Sequence, residues 1–145
     1  MTFKEKLVIL RKIKGIKRPA IASILPMSPP VLLLDSGANI SVTPAYLEQF
    51  AIMGHVYMSK MHGVKNPRVA ILNNGTEEQK GTPMHIEAYK RLSACPSINF
   101  IGNVEADVAF EGGVDVVIAD GFVGNVLLKT AVRSKKRNIF FINQP

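Results

Sequence analysis

Short apolar runs recur along the chain and predict β-strands that are buried on both faces. They occupy residues 31–34, 68–72, 98–101 and 114–119. Within each run the apolar residues are mostly consecutive rather than alternating with polar ones, which is typical of strands covered on both sides in a parallel sheet. Four strands of a mainly parallel sheet are therefore predicted, and their order in the sheet stays open.

Several stretches beside these runs have the period of a helix. The longest covers residues 44–61, where apolar side chains recur at spacings of three and four. They are Leu47, Phe50, Ala51, Gly54, Tyr57, Met58 and Met61. Further helices are predicted at residues 83–92, at 105–110 and, before the first strand, within residues 4–18, where Gly15 would end the helix. Strands and helices thus alternate, which predicts an α/β fold.

Each predicted strand is followed directly by a cluster of carboxylate, amide and glycine residues. The clusters are residues 35–39, 73–80, 102–105 and 120–125. Parallel strands joined by right-handed crossovers have their carboxyl ends at the same edge of the sheet. Because ligands of open α/β sheets bind along that edge, we predict one site divided among four loops.

The first two clusters differ in how well a purely structural role explains them. Residues 35–39 suit a turn that starts a helix, with Asn39 or Thr43 as its N-cap. Residues 73–80 combine two asparagines, a glycine, a threonine, two glutamates, a glutamine and a lysine, which seldom share one turn merely to reverse the chain. A functional role is therefore favoured for residues 73–80 and stays open for residues 35–39.

The last two clusters also have a structural alternative. Asn103 and Glu105 suit the capping of the short helix that follows them. Gly121 and Gly124 open a helix, and the free N–H groups of such a strand-to-helix turn suit an anion such as phosphate. The pattern matches neither the dinucleotide-binding glycine fingerprint nor the P-loop.

Six stretches together resemble the bacterial phosphate acyltransferases of phospholipid synthesis. They are residues 33–39, 49–54, 66–69, 74–81, 98–105 and 120–130. The resemblance implies transfer of a fatty acyl group from acyl carrier protein to inorganic phosphate, without a metal or organic cofactor. The acyl phosphate formed would serve a glycerol-phosphate acyltransferase. The resemblance also implies a fold like the phosphate acetyl- and butyryltransferases and the isocitrate and isopropylmalate dehydrogenases, and a homodimer in the full-length enzyme.

Phosphate is itself the nucleophile in this reaction, so the protein mainly has to hold it against the thioester carbonyl and stabilise the oxyanion. Backbone N–H groups, amides and one cation suit that task, and carboxylates can orient these donors or transfer a proton. The predicted catalytic residues are Asp35, Asn39, Glu77, Lys80 and Asp120. The predicted substrate- and phosphate-binding residues are Gly37, Gly75, Thr76, Asn103, Gly121 and Asn125, and no metal ligand is expected.

Both ends of the chain depart from the family pattern. The family has a further strand-end phosphate loop that is absent before Met1, and after Ala131 it continues into an apolar helical hairpin that this chain lacks. We therefore predict one partial α/β domain over residues 1–131, equivalent to the carboxyl-terminal part of the family enzyme, and a divergent basic tail over residues 132–145. A non-catalytic fragment or partner-binding domain that retains only part of the site is the alternative function.

Composition agrees with a single domain, and the charge is concentrated at the ends. The chain has 145 residues, of which 47% are hydrophobic, and a formal net charge of +7. Residues 1–18 carry seven bases and one acid, residues 129–145 carry five bases and no acid, and residues 19–128 carry six bases and ten acids. The basic ends suit anionic lipid or the acidic surface of acyl carrier protein. No nucleic-acid-binding module is recognisable, so nucleic acid is not expected as a partner.

Cysteine and histidine residues add little to this prediction. Cys95 is the only cysteine, which excludes an intramolecular disulfide. His55 and His62 lie about 10 Å apart along one predicted helix, too far for one metal ion, and the spacing of His85 indicates no role. Neither a signal peptide nor a run of about 20 apolar residues is present, so we predict a cytoplasmic protein for which peripheral membrane contact stays open.

Overall fold

The computed structural model describes residues 20–25 and 27–137 of the chain. Its elements follow in the order β1 (Ala22–Leu25), β2 (Val31–Leu34), α1 (Pro44–Met61), β3 (Arg68–Leu72), α2 (Pro83–Ser93), β4 (Asn99–Val104), α3 (Ala106–Phe110), β5 (Val116–Ile118) and α4 (Gly121–Arg137). The first three helices agree with the sequence predictions to within one residue. The helix predicted at residues 4–18 lies outside the described residues.

The described strands form one sheet in the order β1-β2-β5-β3-β4. Strands β2, β5, β3 and β4 are parallel, whereas β1 runs antiparallel to β2 at one edge. The pairing places Leu34, Ile118 and Ile71 side by side, so the carboxyl ends of these parallel strands share one edge. The mainly parallel α/β fold is thereby confirmed.

Strand β1 corrects the prediction that the first strand begins at residue 31. The four residues of Ala22–Leu25 are too few and too mixed to show a period of their own. They form a strand because the edge of β2 offers unpaired N–H and C=O groups, and Ala22 pairs opposite Leu34. The partner is therefore set by the tertiary structure and not by the local pattern.

Two strand boundaries also differ from the prediction. Strand β4 extends to Val104 rather than ending at residue 101, so Asn103 belongs to the strand and not to the loop after it. A shift of register along β3 and β4 skips Ile101, and such a β-bulge interrupts the apolar pattern while backbone pairing continues. Strand β5 is shorter than predicted and covers Val116–Ile118.

Helices cover both faces of the sheet, which explains the consecutive apolar residues in its strands. On one face the strands pack against α1 and α2 through Leu32, Leu34, Phe50, Met53, Ile71, Leu92 and Ile118. On the other face they pack against α3 and α4 through Leu33, Ala70, Ala109, Val117, Leu127 and Ala131. The domain therefore has three layers, with the sheet in the middle.

Helix α1 begins as its sequence predicts and lies unusually close to the sheet. Thr43 Oγ1 accepts a hydrogen bond from the Tyr46 N–H at 3.4 Å, and Pro44 occupies the first turn. Gly54 lies against β5, where a Cβ atom would overlap the Val116 side chain. The helix reaches this position because residue 54 has no side chain.

An ion pair joins β3 and β5 at the amino-terminal edge of the parallel strands. Arg68 Nε lies 2.9 Å from Asp115 Oδ2, Arg68 Nη2 lies 3.1 Å from Oδ1, and the Arg68 N–H donates to Oδ2 at 2.8 Å. Burial alone would raise the pKa of Asp115, but the hydrogen bonds and charge of Arg68 lower it below the usual value. The pair therefore fixes the start of two central strands.

Helix α4 continues without interruption past position 131 to Arg137. The division into a domain over residues 1–131 and a tail over residues 132–145 stays a prediction. Within residues 20–25 and 27–137, none of the helices is both long enough and apolar enough to cross a membrane.

Candidate functional site

Asp35 organises the loop that follows β2. Its side chain is fully buried, and its carboxylate accepts five hydrogen bonds of 2.8–3.1 Å. The donors are the N–H groups of Ile21, Gly37, Ala38 and Asn39 and the Nδ2 group of Asn39. With both oxygens engaged inside the protein, the carboxylate is suited to hold the loop and orient Asn39 rather than to transfer a proton.

The first turn of α4 touches this loop through two glycines. The Gly121 N–H donates to the Asn39 carbonyl at 2.6 Å, and a Cβ atom at position 121 would lie only 2.6 Å from that oxygen. A Cβ atom at Gly124 would overlap the Asp35 carbonyl. Asn125 Nδ2 adds a hydrogen bond to the Ser36 carbonyl at 3.1 Å. The loops after β2 and β5 therefore form one rigid unit, which joins Asp35, Asn39, Gly121 and Asn125.

Asp120 is the N-cap of α4. Its Oδ1 accepts from the Val123 N–H at 2.8 Å, and its carbonyl accepts from the Gly124 N–H at 2.9 Å. Since the Gly121 N–H is also engaged, three donors at this helix start already have partners within the chain. A phosphate bound here would have to compete with Asp120 and with the Asn39 carbonyl for these donors.

The loop after β3 is closed by its own side chains. Asn73 Nδ2 donates to the Lys80 carbonyl at 3.0 Å. Gly75 lies beneath Glu77 and Lys80, because a Cβ atom there would be 2.9 Å from Glu77 Oε2 and 2.9 Å from Lys80 Cγ. Thr76, Glu77 and Lys80 are exposed. This loop therefore presents one cation, Lys80, and two carboxylates, Glu77 and Glu78, to solvent beside a buried glycine.

Asn103 supports that loop from below. Its side chain is buried, and its Nδ2 group donates to the Glu77 carbonyl at 2.8 Å. Its Oδ1 atom is buried without a hydrogen-bond partner among the described residues. The structure thus places Asn103 with Gly75, Thr76, Glu77 and Lys80, on the other side of β5 from the unit formed by Asp35 and Asn39.

A cleft of about 880 Å³ opens between the loop after β3, helix α3 and helix α4. Its apolar lining consists of Leu72, Ala106, Phe110, Val123, Val126 and Leu127. Its polar rim includes Asn73, Asn74, Thr82, His85, Glu105, Asp107 and Thr130. None of the predicted site residues lines the cleft, although their chain neighbours Asn73, Asn74, Gly81 and Val123 do. The cleft was not predicted because its walls come from four separate parts of the chain.

His85 on the rim of the cleft was not among the predicted site residues. Its Nδ1 atom accepts from the Thr82 N–H at 3.2 Å and lies 2.8 Å from Thr82 Oγ1, which forms a capping box at the start of α2. Burial lowers the pKa of His85, and the nearby charge of Asp120 opposes this in part. Thr82 before Pro83 was the available signal, because it marks a helix start and places His85 at the third helical position.

Among residues 20–25 and 27–133, no group of three or more histidine, cysteine, aspartate or glutamate side chains comes together as a metal site. What the structure brings together is a polar edge at the ends of parallel strands and an apolar cleft beside it. This arrangement defines the class of α/β domains that bind small molecules at the carboxyl edge of the sheet.

Comparison with solved structures agrees with this α/β fold. A phosphotransacetylase from Staphylococcus aureus superimposes with a TM-score of 0.67, covers 84% of this chain and 44% of its own, and is 18% identical. A branched-chain phosphotransacylase from Enterococcus faecalis gives a TM-score of 0.57 at 18% identity, over 91% of this chain and 55% of its own. These likenesses show the fold.

Sequence comparison shows the family. A family model described as fatty acid synthesis protein matches residues 2–142. The phosphate acyltransferase of Dictyoglomus turgidum is 50% identical over 127 residues, which are 86% of this chain and 38% of the relative. That of Leptospira biflexa is 45% identical over 143 residues, which are 96% of this chain and 42% of the relative. The chain belongs to the phosphate acyltransferase family, and it spans about two fifths of the length of these relatives.

Proposed function

We propose that this chain provides part of the site of an acyltransferase that moves a fatty acyl group from acyl carrier protein to inorganic phosphate, forming acyl phosphate for phospholipid synthesis. The observation that carries the proposal is the apolar cleft beside the polar loops at the carboxyl edge of the sheet. Membership of the phosphate acyltransferase family supports it. An acyl substrate needs both surfaces, one for its hydrocarbon chain and one for the reacting carbonyl and phosphate.

The cleft suits the hydrocarbon chain of the substrate. Leu72, Phe110 and Leu127 line it with apolar surface, and its volume of about 880 Å³ is in the range of small-molecule sites. Each methylene group that leaves water on binding contributes about 0.8 kcal/mol. A medium-length acyl chain would therefore gain several kcal/mol of binding free energy here.

In this proposal phosphate binds at the loop after β3 rather than in the interior of the cleft. That loop has the cation Lys80 beside Glu77 and Glu78, whereas the cleft is lined by two carboxylates and no cation. Glu105 and Asp107 place carboxylates on the rim, where they would repel a phosphate dianion. Lys80 offers a cation in the adjacent loop, together with the Thr76 hydroxyl and the backbone at Gly75. Phosphate held there would face an acyl carbonyl at the mouth of the cleft.

The chemistry then follows from the residue types. A phosphate oxygen attacks the thioester carbon, a C–O bond forms, the C–S bond breaks, and the thiolate of the carrier protein leaves and takes up a proton. Donors such as Asn39, Asn125 and Lys80 suit the oxyanion of the intermediate. In this proposal Asp35 orients Asn39, and Glu77 and Asp120 orient donors or handle the proton. Gly37, Gly121 and Asn103 shape and support the loops.

The family also suggests the surroundings of the protein. We propose that acyl carrier protein and phosphate are its substrates and that a glycerol-phosphate acyltransferase uses the product. We further propose that the full-length enzyme is a homodimer in the cytoplasm with peripheral membrane contact. The likeness to isocitrate and isopropylmalate dehydrogenases stays a prediction. None of these proposals requires a metal or organic cofactor.

The test is an assay of the purified chain, after circular dichroism has shown that it is folded. The chain is incubated with acyl carrier protein thioester and phosphate, and acyl phosphate is trapped as a hydroxamate with hydroxylamine. We expect phosphate-dependent hydroxamate, which a Lys80→Ala variant should reduce. Activity without added phosphate, or equal activity of the variant, would contradict the proposed site.

A second function is favoured by one observation, namely that the chain spans 38% of the length of the Dictyoglomus turgidum relative. A domain with part of the site would bind an acyl group or a partner without catalysing transfer. Binding of an acyl thioester by the folded chain without hydroxamate formation would support this second function over the first.

A further inference from the structure

We propose that His85 is a substrate-binding residue whose Nε2–H group donates a hydrogen bond to the carbonyl oxygen of the acyl group in the cleft. The inference rests on the proposed function, because it presumes an acyl group in that cleft. His85 lines the cleft at the start of α2, where its ring contacts Thr82. His85 lies outside the four strand-end clusters that were predicted to form the site.

The capping box determines which ring nitrogen of His85 carries the proton. A backbone N–H can only donate, and the Thr82 N–H points at Nδ1 over 3.2 Å. Nδ1 must therefore be an acceptor, which places the single proton of the neutral imidazole on Nε2. Thr82 Oγ1, 2.8 Å from Nδ1, can donate to the same atom. The ring is thus held in the tautomer that offers one donor for a ligand.

The surroundings of His85 keep the ring neutral. It occupies the first turn of α2, where the positive end of the helix disfavours a cation. Burial also disfavours the charged ring, and the negative charge of Asp120 opposes this in part. The net effect is a lowered pKa, so at neutral pH the imidazole is a donor without charge. A neutral imidazole that polarises a carbonyl oxygen is an established device in enzymes.

Several other polar groups on the rim are less able to serve a carbonyl. Asn73 Nδ2 is engaged by the Lys80 carbonyl, and Thr130 Oγ1 donates to the Val126 carbonyl. Glu105 and Asp107 are acceptors when ionised. An acyl carbonyl that enters an apolar cleft loses its hydrogen bonds to water and needs a donor in return. His85 is the neutral ring donor on this rim that has a defined orientation.

The test uses the whole folded chain and the octanoyl thioester of N-acetylcysteamine, labelled with ¹³C at the carbonyl. The variants are His85→Gln, which keeps an acceptor for the cap and a donor for the ligand, and His85→Leu, which keeps neither. Arg91→Ala is the control for a general weakening of α2, because it removes the ion pair with Glu48 away from the cleft. Dissociation constants and the carbonyl ¹³C shift of the bound thioester are measured by NMR.

We expect a downfield carbonyl shift on binding to the original chain and to His85→Gln. His85→Leu should bind roughly fivefold more weakly, the effect of one neutral hydrogen bond, and should lack the shift. Arg91→Ala should match the original chain. In addition, ¹⁵N spectra of the unliganded chain at neutral pH should show His85 with its proton on Nε2.

Two results would overturn the inference and leave the proposed function intact. One is equal binding and equal carbonyl shifts in all variants, with hydroxamate still formed by the chain. The other is a His85 ring that carries its proton on Nδ1 at neutral pH. Failure of the thioester to bind to the folded original chain would overturn both the inference and the assignment of the cleft to the acyl group.

Discussion

Gly124 in the first turn of α4 lies directly against the Asp35 carbonyl, so closely that a Cβ atom at position 124 would overlap that oxygen. The two residues are far apart in the sequence: Asp35 lies in the loop after β2, and Gly124 lies in the helix that follows the neighbouring strand β5. Their contact joins the loop that presents Asn39 to the helix that forms one wall of the cleft. The absence of a side chain at position 124 is therefore a condition for the geometry of this part of the site.

Replacing Gly124 by alanine should destabilise the protein by about 3 kcal/mol, since the added methyl group must displace backbone rather than a flexible side chain. Chemical denaturation followed by circular dichroism measures the loss. Gly113→Ala is the matched control, because a Cβ atom at position 113 meets nothing within 4 Å. Similar stability of the two variants would contradict the close contact.

Replacing Asp35 by asparagine should lower the free energy of unfolding by about 2–4 kcal/mol. The carboxylate accepts hydrogen bonds from five N–H groups, and an amide would present its own N–H₂ group to some of these donors. Denaturation at neutral pH tests this. Asp107→Asn is the control, because the Asp107 side chain is exposed and accepts a hydrogen bond from the adjacent Val108 N–H, so its loss should be below about 1 kcal/mol.

The Arg68–Asp115 pair should make the stability depend on pH at the acidic end. Because the pKa of Asp115 is lowered in the folded protein, its contribution is present above the unfolded value of about 3.9 and is lost as the pH falls through the folded value. In Arg68→Ala the side-chain hydrogen bonds and the charge that lower this pKa are lost, while the backbone N–H of residue 68 still donates to Asp115. The part of the acid decline that is due to Asp115 should therefore become smaller.

Unfolding free energies measured between pH 3 and 7 test this prediction. At neutral pH we expect Arg68→Ala to lose about 2 kcal/mol, less than a fully buried pair because the Arg68 side chain is partly exposed. The Arg91–Glu48 pair is more exposed, and Arg91→Ala should lose less than about 1 kcal/mol. Parallel pH profiles for Arg68→Ala and the original chain would argue against the role of Arg68.

The start of α2 should weaken when His85 is protonated. Its pKa is lowered in the folded state, so the unfolded chain binds the proton more readily and stability falls as the pH drops below the unfolded value of about 6.5. Protonated Nδ1 can no longer accept from the Thr82 N–H. Hydrogen exchange at the Ile86 amide, which bonds to the Thr82 carbonyl, should therefore quicken in acid relative to its intrinsic rate. His85→Gln should abolish this pH dependence.

Lys80 should contribute to phosphate binding. As the cation of the loop after β3, it can form a charge-assisted hydrogen bond to phosphate, and Lys80→Ala should weaken the affinity at least tenfold, by roughly 1.5–3 kcal/mol. ³¹P NMR titration of the folded chain with phosphate measures this. Lys65→Ala, before β3 at the opposite edge of the sheet, removes an equal charge and should bind like the original chain. Equal weakening by both variants would indicate a nonspecific charge effect.

Local patterns in the sequence were sufficient for much of the fold. The helix at residues 44–61 was predicted with the bounds that the structure has, because its apolar spacing is regular and Thr43 and Pro44 mark its start. Strand β1 could not be predicted in this way, because it depends on the free edge of β2. The extension of β4 past residue 101 was missed because a β-bulge breaks the apolar pattern but not the backbone pairing.

The candidate site was likewise predicted only in part from the sequence. The glycine, amide and carboxylate clusters were visible in the sequence because a strand end followed by such residues is a local feature. The sequence did not show that five donors bind Asp35 or that Asn103 is buried beneath Glu77, because each contact depends on which loops are neighbours. The cleft and His85 were missed because an apolar wall on a helix looks like core until its opposite wall is known.

The sequence by itself therefore determined the family, the α/β class and the chemistry available at the strand ends, because composition, period and residue order are properties of the chain alone. Only the tertiary structure decided the order β1-β2-β5-β3-β4, the contact of Gly124 with Asp35 and the cleft beside His85. These features are contacts between distant segments. Their geometry follows from how the layers pack, and packing of this kind leaves no local pattern in the chain.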